Sequence, residues 1–308
     1  MKHSTDAPGD RHNYHAGMEI TRLGQLKAAL GECPVWHGQQ LWVMDCRAGL
    51  IHALDPDTGQ CTATHEAPPP TGSFAFNHDG RLVVALKEGI AALDLQSGVM
   101  QLLASLEVSH PHLRLNDGIS LDDGSFVVGT MHVPREPGEP LLGGLYRLDT
   151  SLQLQKMEEG LGITNGPCVN PVSGRFLVAD SAARTIWSHR LEPDGSLSDK
   201  QVFVNTDAQG SGPDGCCVDT AGGLWTALVR AGAVARFDLQ GQMTHRIALP
   251  VAHPSALCFG GPDMADLFVT SISDSGRLSA SGPMDGAVLR LRGVGFCGVA
   301  RPLCRLPL

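Results

Sequence analysis

Six short runs along the chain are apolar and β-prone: LWVMD from Leu41, LVVAL from Leu82, FVVGT from Phe126, FLVAD from Phe176, LWTAL from Leu224 and LFVTS from Leu267. Their starts are 41, 44, 50, 48 and 43 residues apart. A Gly-bearing turn precedes five of them (WHGQQ, NHDGR, LDDGS, PVSGR and DTAGG), and a longer GGPDMAD precedes the sixth. A further strand follows each run and ends in another turn, as in ALDPDTGQ, ALDLQSGV, YRLDTSLQ, HRLEPDGS and RFDLQGQM, with VLRLRGVG a weaker last copy. Each unit therefore reads as four strands joined by tight turns, the signature of a propeller blade. The pattern predicts an all-β chain: a six-bladed β-propeller with four-stranded antiparallel blades. It forms a single domain over residues 18–308, behind a flexible N-terminal tail over residues 1–17. Two stacked β-sandwiches would explain the strands but not one period running through the midpoint.

In such a ring the first strand of each blade lies nearest the axis, so equivalent residues of different blades face one another. Counting back from the second strands, a polar residue precedes the first strand by a nearly constant offset. Glu32 lies 9 before Leu41, Ser73 9 before Leu82, Asn116 10 before Phe126, Asn165 11 before Phe176 and Asp214 10 before Leu224. Ser255, 12 before Leu267, fills the sixth place. Glu32, Asn116, Asn165 and Asp214 would thus direct two carboxylates and two amide oxygens at one point. A set of hard oxygens with no His or Cys suits one divalent metal ion such as Ca²⁺, Mg²⁺ or Mn²⁺, and Zn²⁺ also accepts carboxylate. Taken singly, Asn or Asp before Gly is an ordinary turn residue. Glu32 is different, because an unpaired carboxylate between apolar segments is costly to bury.

Composition removes other readings. With 37 Gly and 20 Pro the chain is too rich in helix breakers for a large helical bundle. Its 23 Lys and Arg against 32 Asp and Glu leave a formal charge of −9, which argues against nucleic acid or anionic lipid as partner. The polar N-terminus does not read as a secretory leader, and no apolar run approaches the ~20 residues needed to span a membrane, so neither secretion nor insertion is expected. Nine cysteines, with no CxxC pair, point to reduced thiols and a cytoplasmic protein. A monomer or weak homo-oligomer is expected.

The same segments carry a resemblance to the SMP-30/gluconolactonase/regucalcin family, running from about Leu30 to the C-terminus. LGECPVW around Glu32, RLNDGISLDDGSFVVGTM from Arg114 to Met131, GITNGPCVNP around Asn165, GPDGCCVDTAGGLW around Asp214 and HPSALCFGGPDMADLFVTS all resemble family motifs, in the family's order. The resemblance implies a six-bladed propeller lactonase in which Glu32, Asn165 and Asp214 bind the metal. Arg114 and Asn116 then contact substrate, with Asp117 beside them. It also shows a departure: an acidic substrate contact found in some relatives falls at Pro134, and His132 is the candidate replacement. The implied reaction is metal-dependent hydrolysis of a sugar lactone (an aldonolactone), with Asp214 as general base. The alternatives are an esterase or phosphotriesterase on the same metal site, or a non-catalytic propeller that binds calcium or a metabolite.

Overall fold

The computed structural model describes residues 17–308, so the tail expected over residues 1–17 lies outside the described residues apart from Gly17. Twenty-four strands form six four-stranded antiparallel sheets, and the described residues contain no α-helix. The six innermost strands are Gly31–His37, Ser73–Phe76, Leu113–Ser120, Thr164–Val169, Pro213–Val218 and Pro254–Gly260. Each packs on the next, and the sixth packs on the first, which closes the ring.

All six apolar runs are second strands. Leu82–Ala85 and Leu224–Leu228 are buried at every position, because sheets from the two neighbouring blades cover both faces. The outermost strands instead alternate toward water. Cys61–Glu66 and Leu154–Glu159 bury no residue fully, and their charged side chains discourage edge-to-edge pairing. Between blades the core is built of interlocking aliphatic and aromatic residues, with Trp225, Phe74, Phe126, Phe176 and Phe268 wholly enclosed.

The last blade takes its outer strand from the other end of the chain. Glu19–Arg22 pairs with Leu289–Arg292 in the register Glu19↔Arg292 to Arg22↔Leu289. Beyond Arg292 the chain crosses the end of the channel where the inner strands finish. Thr220 N–H donates to Cys297 O at 2.9 Å, Ser120 Oγ to Pro302 O at 2.5 Å and His78 N–H to Cys304 O at 2.9 Å. Asn77 exchanges two hydrogen bonds with Leu306. This segment and Arg301 line a small cavity of about 140 Å³ at that end. All nine cysteines are unpaired and six are buried, in line with reduced thiols.

One ion pair anchors the fifth blade to this crossing segment. Asp219, wholly buried, accepts from Arg236 Nε at 2.7 Å, Trp225 Nε1 at 2.9 Å and the Gly223 N–H at 2.9 Å. Arg236 in turn lies over the Phe296 ring at 3.9 Å. Replacing Asp219 by Ala leaves a buried guanidinium without its carboxylate and is expected to lower stability by about 3–5 kcal/mol. Urea unfolding reads this directly, and a loss below about 1 kcal/mol would contradict the assignment.

Candidate active site

Five of the six innermost strands lose register with their second strand at the same level. The slips fall between Glu32 and Val35, Leu115 and Gly118, Asn165 and Cys168, Pro213 and Cys216, and Pro254 and Leu257. A bulge of this kind inserts an extra residue and re-aims the side chains around it. Here it turns polar residues toward the axis at the end where the inner strands begin. The neighbouring blades come too close for larger residues at this level. Gly166 has φ +52°, and a Cβ there would meet Cys216 N at 2.3 Å; a Cβ on Gly215 would meet Ala256 Cβ at 2.5 Å.

Glu32, Asn116, Asn165, Asp214 and Arg114 share one cavity of about 360 Å³. Two ring positions stay out of it. Ser73 sits in the one innermost strand with unbroken register, and Ser255 donates to the Gly31 carbonyl and meets Thr270 Oγ1 at 2.9 Å. Asn116 Nδ2 donates to Asn165 Oδ1 at 2.8 Å and to Thr164 O at 2.9 Å. Asn165 Nδ2 donates to Ser181 Oγ at 2.8 Å, and Ser181 passes its own proton to Pro213 O at 2.6 Å. The chain of donors fixes both amides and leaves Asn165 Oδ1 a second lone pair.

Glu32 and Asp214 enter no ion pair among the described residues. Burial drives the Glu32 carboxyl well above the usual carboxylate range, and the charges of Asp214 and Asp117 push it further. Arg114 and the Cys33 N–H oppose that rise. Asp214 is likewise raised, first by burial and then by Asp117, against Arg114 and the Gly215 N–H. A half-buried and a buried carboxylate that repel each other, beside an oriented amide oxygen, fit a hard divalent cation. Arg114 donates Nη1 to its neighbour's carbonyl, Leu115 O, at 2.9 Å, which holds the guanidinium at the cavity wall.

Two residues expected at the substrate lie elsewhere. Asp117, the second bulge residue, accepts from Gly118 N–H and from Gly166 N–H of the next blade, both at 2.8 Å. It ties two blades together. His132 is 1% exposed and off the cavity, because strand alternation gives the lining places to Met131 and Val133. Its Nδ1 accepts the Leu142 N–H at 3.3 Å, and its Nε2 lies 3.5 Å from Glu139 Oε1. His110 Nε2 is 3.0 Å from the same oxygen, and its Nδ1 accepts the His112 N–H at 3.2 Å. His110, His132 and Glu139 are close enough to hold a metal ion, their ligand atoms lying within 4.8 Å of one another. With both Nδ1 atoms accepting, however, each neutral ring carries its proton on Nε2, toward Glu139. The trio thus ties down the loop after the third blade's second strand.

Sequence reasoning missed three charged lining residues, Arg184, Arg230 and Arg277. They sit in turns that follow second strands, and an antiparallel second strand ends where its inner strand begins. A signal was present: in all six blades that turn holds a basic residue, namely Arg47, Lys87, Arg135, Arg184, Arg230 and Arg277.

Comparison with known proteins matches this geometry. The SMP-30/Gluconolactonase/LRE-like region matches residues 30–273. A 6-deoxy-6-sulfogluconolactonase from Pseudomonas putida is 34% identical over 282 residues, covering 90% of this chain and 95% of its own. A pentonolactonase from Haloferax volcanii is 31% identical over 286 residues, covering 89% and 94%. The solved structure of a calcium-binding protein, regucalcin, from Agrobacterium tumefaciens superposes with a TM-score of 0.83 at 26% identity, over 92% of this chain and 97% of that one. With its ring of blades and its axial carboxylates, the chain belongs to the SMP-30/gluconolactonase/LRE-like family.

Proposed function

We propose that this protein hydrolyses a sugar lactone to the aldonic acid in the cavity at the head of the inner strands. The observation that carries the reading is the pair Glu32 and Asp214, held in one cavity and in no ion pair among the described residues, beside the oriented Asn165 amide. Relatives named as lactonases support a hydrolase of this kind. Glu32, Asn165 and Asp214 would hold one divalent cation. The hard oxygen set favours Ca²⁺, as does the calcium-binding relative, and Zn²⁺, Mn²⁺ or Mg²⁺ would also be accepted. When bound, such a cation polarises the lactone carbonyl and offsets the charge that grows on its oxygen.

The chain's own residues do the rest. Asp214 takes a proton from the attacking water as its oxygen bonds to the carbonyl carbon. When the ring carbon–oxygen bond breaks, Asp214 returns that proton to the departing hydroxyl. Bases of this type typically contribute ~10²- to 10⁴-fold. Arg114 and Asn116 orient the ring through its hydroxyls or its carbonyl. The far end of the channel is crossed by the C-terminal segment, so reactants use the cavity mouth.

A panel of aldonolactones, aryl esters and phosphotriesters, each with and without Ca²⁺, Zn²⁺, Mn²⁺ and Mg²⁺, tests the assignment. Lactone turnover that exceeds ester and phosphotriester turnover, and that vanishes on chelation, is the expected result. Wild-type rates after exhaustive chelation would sink the metal-assisted mechanism. Cleavage of phosphotriesters or esters alone would reassign the substrate.

A further inference from the structure

The wall of the cavity above the carboxylates carries the opposite charge. In a chain of formal charge −9, four arginines line this cavity against the two carboxylates Glu32 and Asp214. Arg114 lies low in the wall, while Arg184, Arg230 and Arg277 are exposed at its mouth. The acids near them are absent or already engaged. Asp207 takes Arg184 at 3.4 Å, and Asp274, in the loop that carries Arg277, is held by Arg47 at 2.6 Å. The turn bearing Arg230, from Val229 to Gly232, has no acidic residue.

The Arg230 and Arg277 guanidinium groups make no hydrogen bond or ion pair among the described residues. Arg230 is also near enough to disfavour the charge of Arg277, which partial burial and then Arg230 lower. Two guanidinium groups close together at the mouth, with no carboxylate paired to either, are unfavourable until an anion enters. A neutral lactone does not need them, since the charge of its reaction develops at the carbonyl beside Glu32 and Asp214. Three cations at the mouth would then only slow release of the acid product.

We propose that Arg230 and Arg277, with Arg184 beside them, form an anion subsite, and that the substrate is a lactone with a second, negatively charged group remote from its carbonyl. The group is a carboxylate, sulfonate or phosphate, each of which an Arg fork grips through two oxygens. This inference rests on the lactonase reading above.

The test compares glucono-1,5-lactone with its derivatives carrying a carboxylate, sulfonate or phosphate at carbon 6, using cation-loaded protein. At least one anionic lactone should exceed the neutral one about tenfold or more in kcat/KM, and this ratio should shrink as salt is raised. In R230Q/R277Q the anionic-to-neutral ratio should fall roughly 10- to 100-fold, chiefly through KM. The three derivatives separate the three anions. A wild-type ratio at or below one, or a ratio that the double substitution leaves unmoved, overturns the proposal. If no lactone is hydrolysed, the lactonase reading fails, and calorimetric titration with the open-chain 6-carboxylate, 6-sulfonate and 6-phosphate acids decides the subsite alone. Binding that weakens about tenfold or more in R230Q/R277Q supports the subsite; absence of binding, or binding the substitutions leave unchanged, overturns it.

Discussion

Replacing Asp214 by Asn lowers kcat on a lactone by about 10³-fold or more, yet leaves the metal-free protein at least as stable as the parent. Asn keeps the shape of the side chain and its place in the bulge. It loses the capacity to take a proton, worth ~10²- to 10⁴-fold, and one anionic ligand for the cation. Stability moves the other way because burial and Asp117 already disfavour this carboxylate, and a neutral amide avoids that penalty. A residue that only held the fold would behave oppositely, losing stability along with activity. Turnover measured across a cation titration separates a lost base from weakened metal affinity. Retention of more than about a tenth of the parent kcat at saturating cation would remove Asp214 from the chemistry.

The second large effect is on thermal stability. Glu32, Asp214 and Asp117 are all raised, each first of all by burial. A carboxyl with a raised folded-state pKa binds its proton more tightly folded than unfolded. The stability it contributes is full below the ordinary carboxylate range and is lost as pH rises through the raised value. Carboxylates held low by turn N–H groups, such as Asp55 and Asp94, act at more acid pH, where they lose their contribution as pH falls. The metal-free protein should therefore melt higher near about pH 5 than near about pH 8, as far as these three groups decide it.

A divalent cation reverses this, because it binds the ionised form. At about 100-fold over its Kd it adds about 2.7 kcal/mol, which corresponds to roughly 4 °C for a chain of this size. The shift should be larger near pH 8 than near pH 5, where protons compete for the same oxygens. It should disappear in E32Q/D214N. Equal shifts in the parent and the double variant, or no shift with any of the four cations, would remove the proposed ligand set.

The six blades were legible because a second strand enclosed on both faces must be apolar throughout, and that burial recurs at one period from Leu41 to Leu267. Glu32, Asn165 and Asp214 were legible for a related reason. The bulge that aims them sits at a fixed height in each blade, so their distance from the second strand hardly varies. The same bulge hid the role of Asp117, since within it the alternation that assigns faces breaks down. For His132 alternation holds, and it places that residue off the cavity. Glu19–Arg22 gave no signal as a blade strand, being four residues long and paired with a segment near the other end of the chain. The arginines of the mouth were overlooked because turn residues carry no periodic constraint on polarity.

The pairing of Glu19–Arg22 with Leu289–Arg292 also orders events during synthesis. Glu19–Arg22 leaves the ribosome about 270 residues ahead of its partner and must wait for it. At ordinary translation rates of about 5–20 residues per second the delay is roughly 15–50 s. In its last part the first five blades are complete in sequence but the ring stands open, with an unsatisfied edge at either side of the gap. A short strand with a charge at each end, Glu19 and Arg22, is a poor template for pairing with other chains while it waits. Closure therefore waits until Leu289–Arg292 has been made, and loss of that segment would leave Glu19–Arg22 without its place.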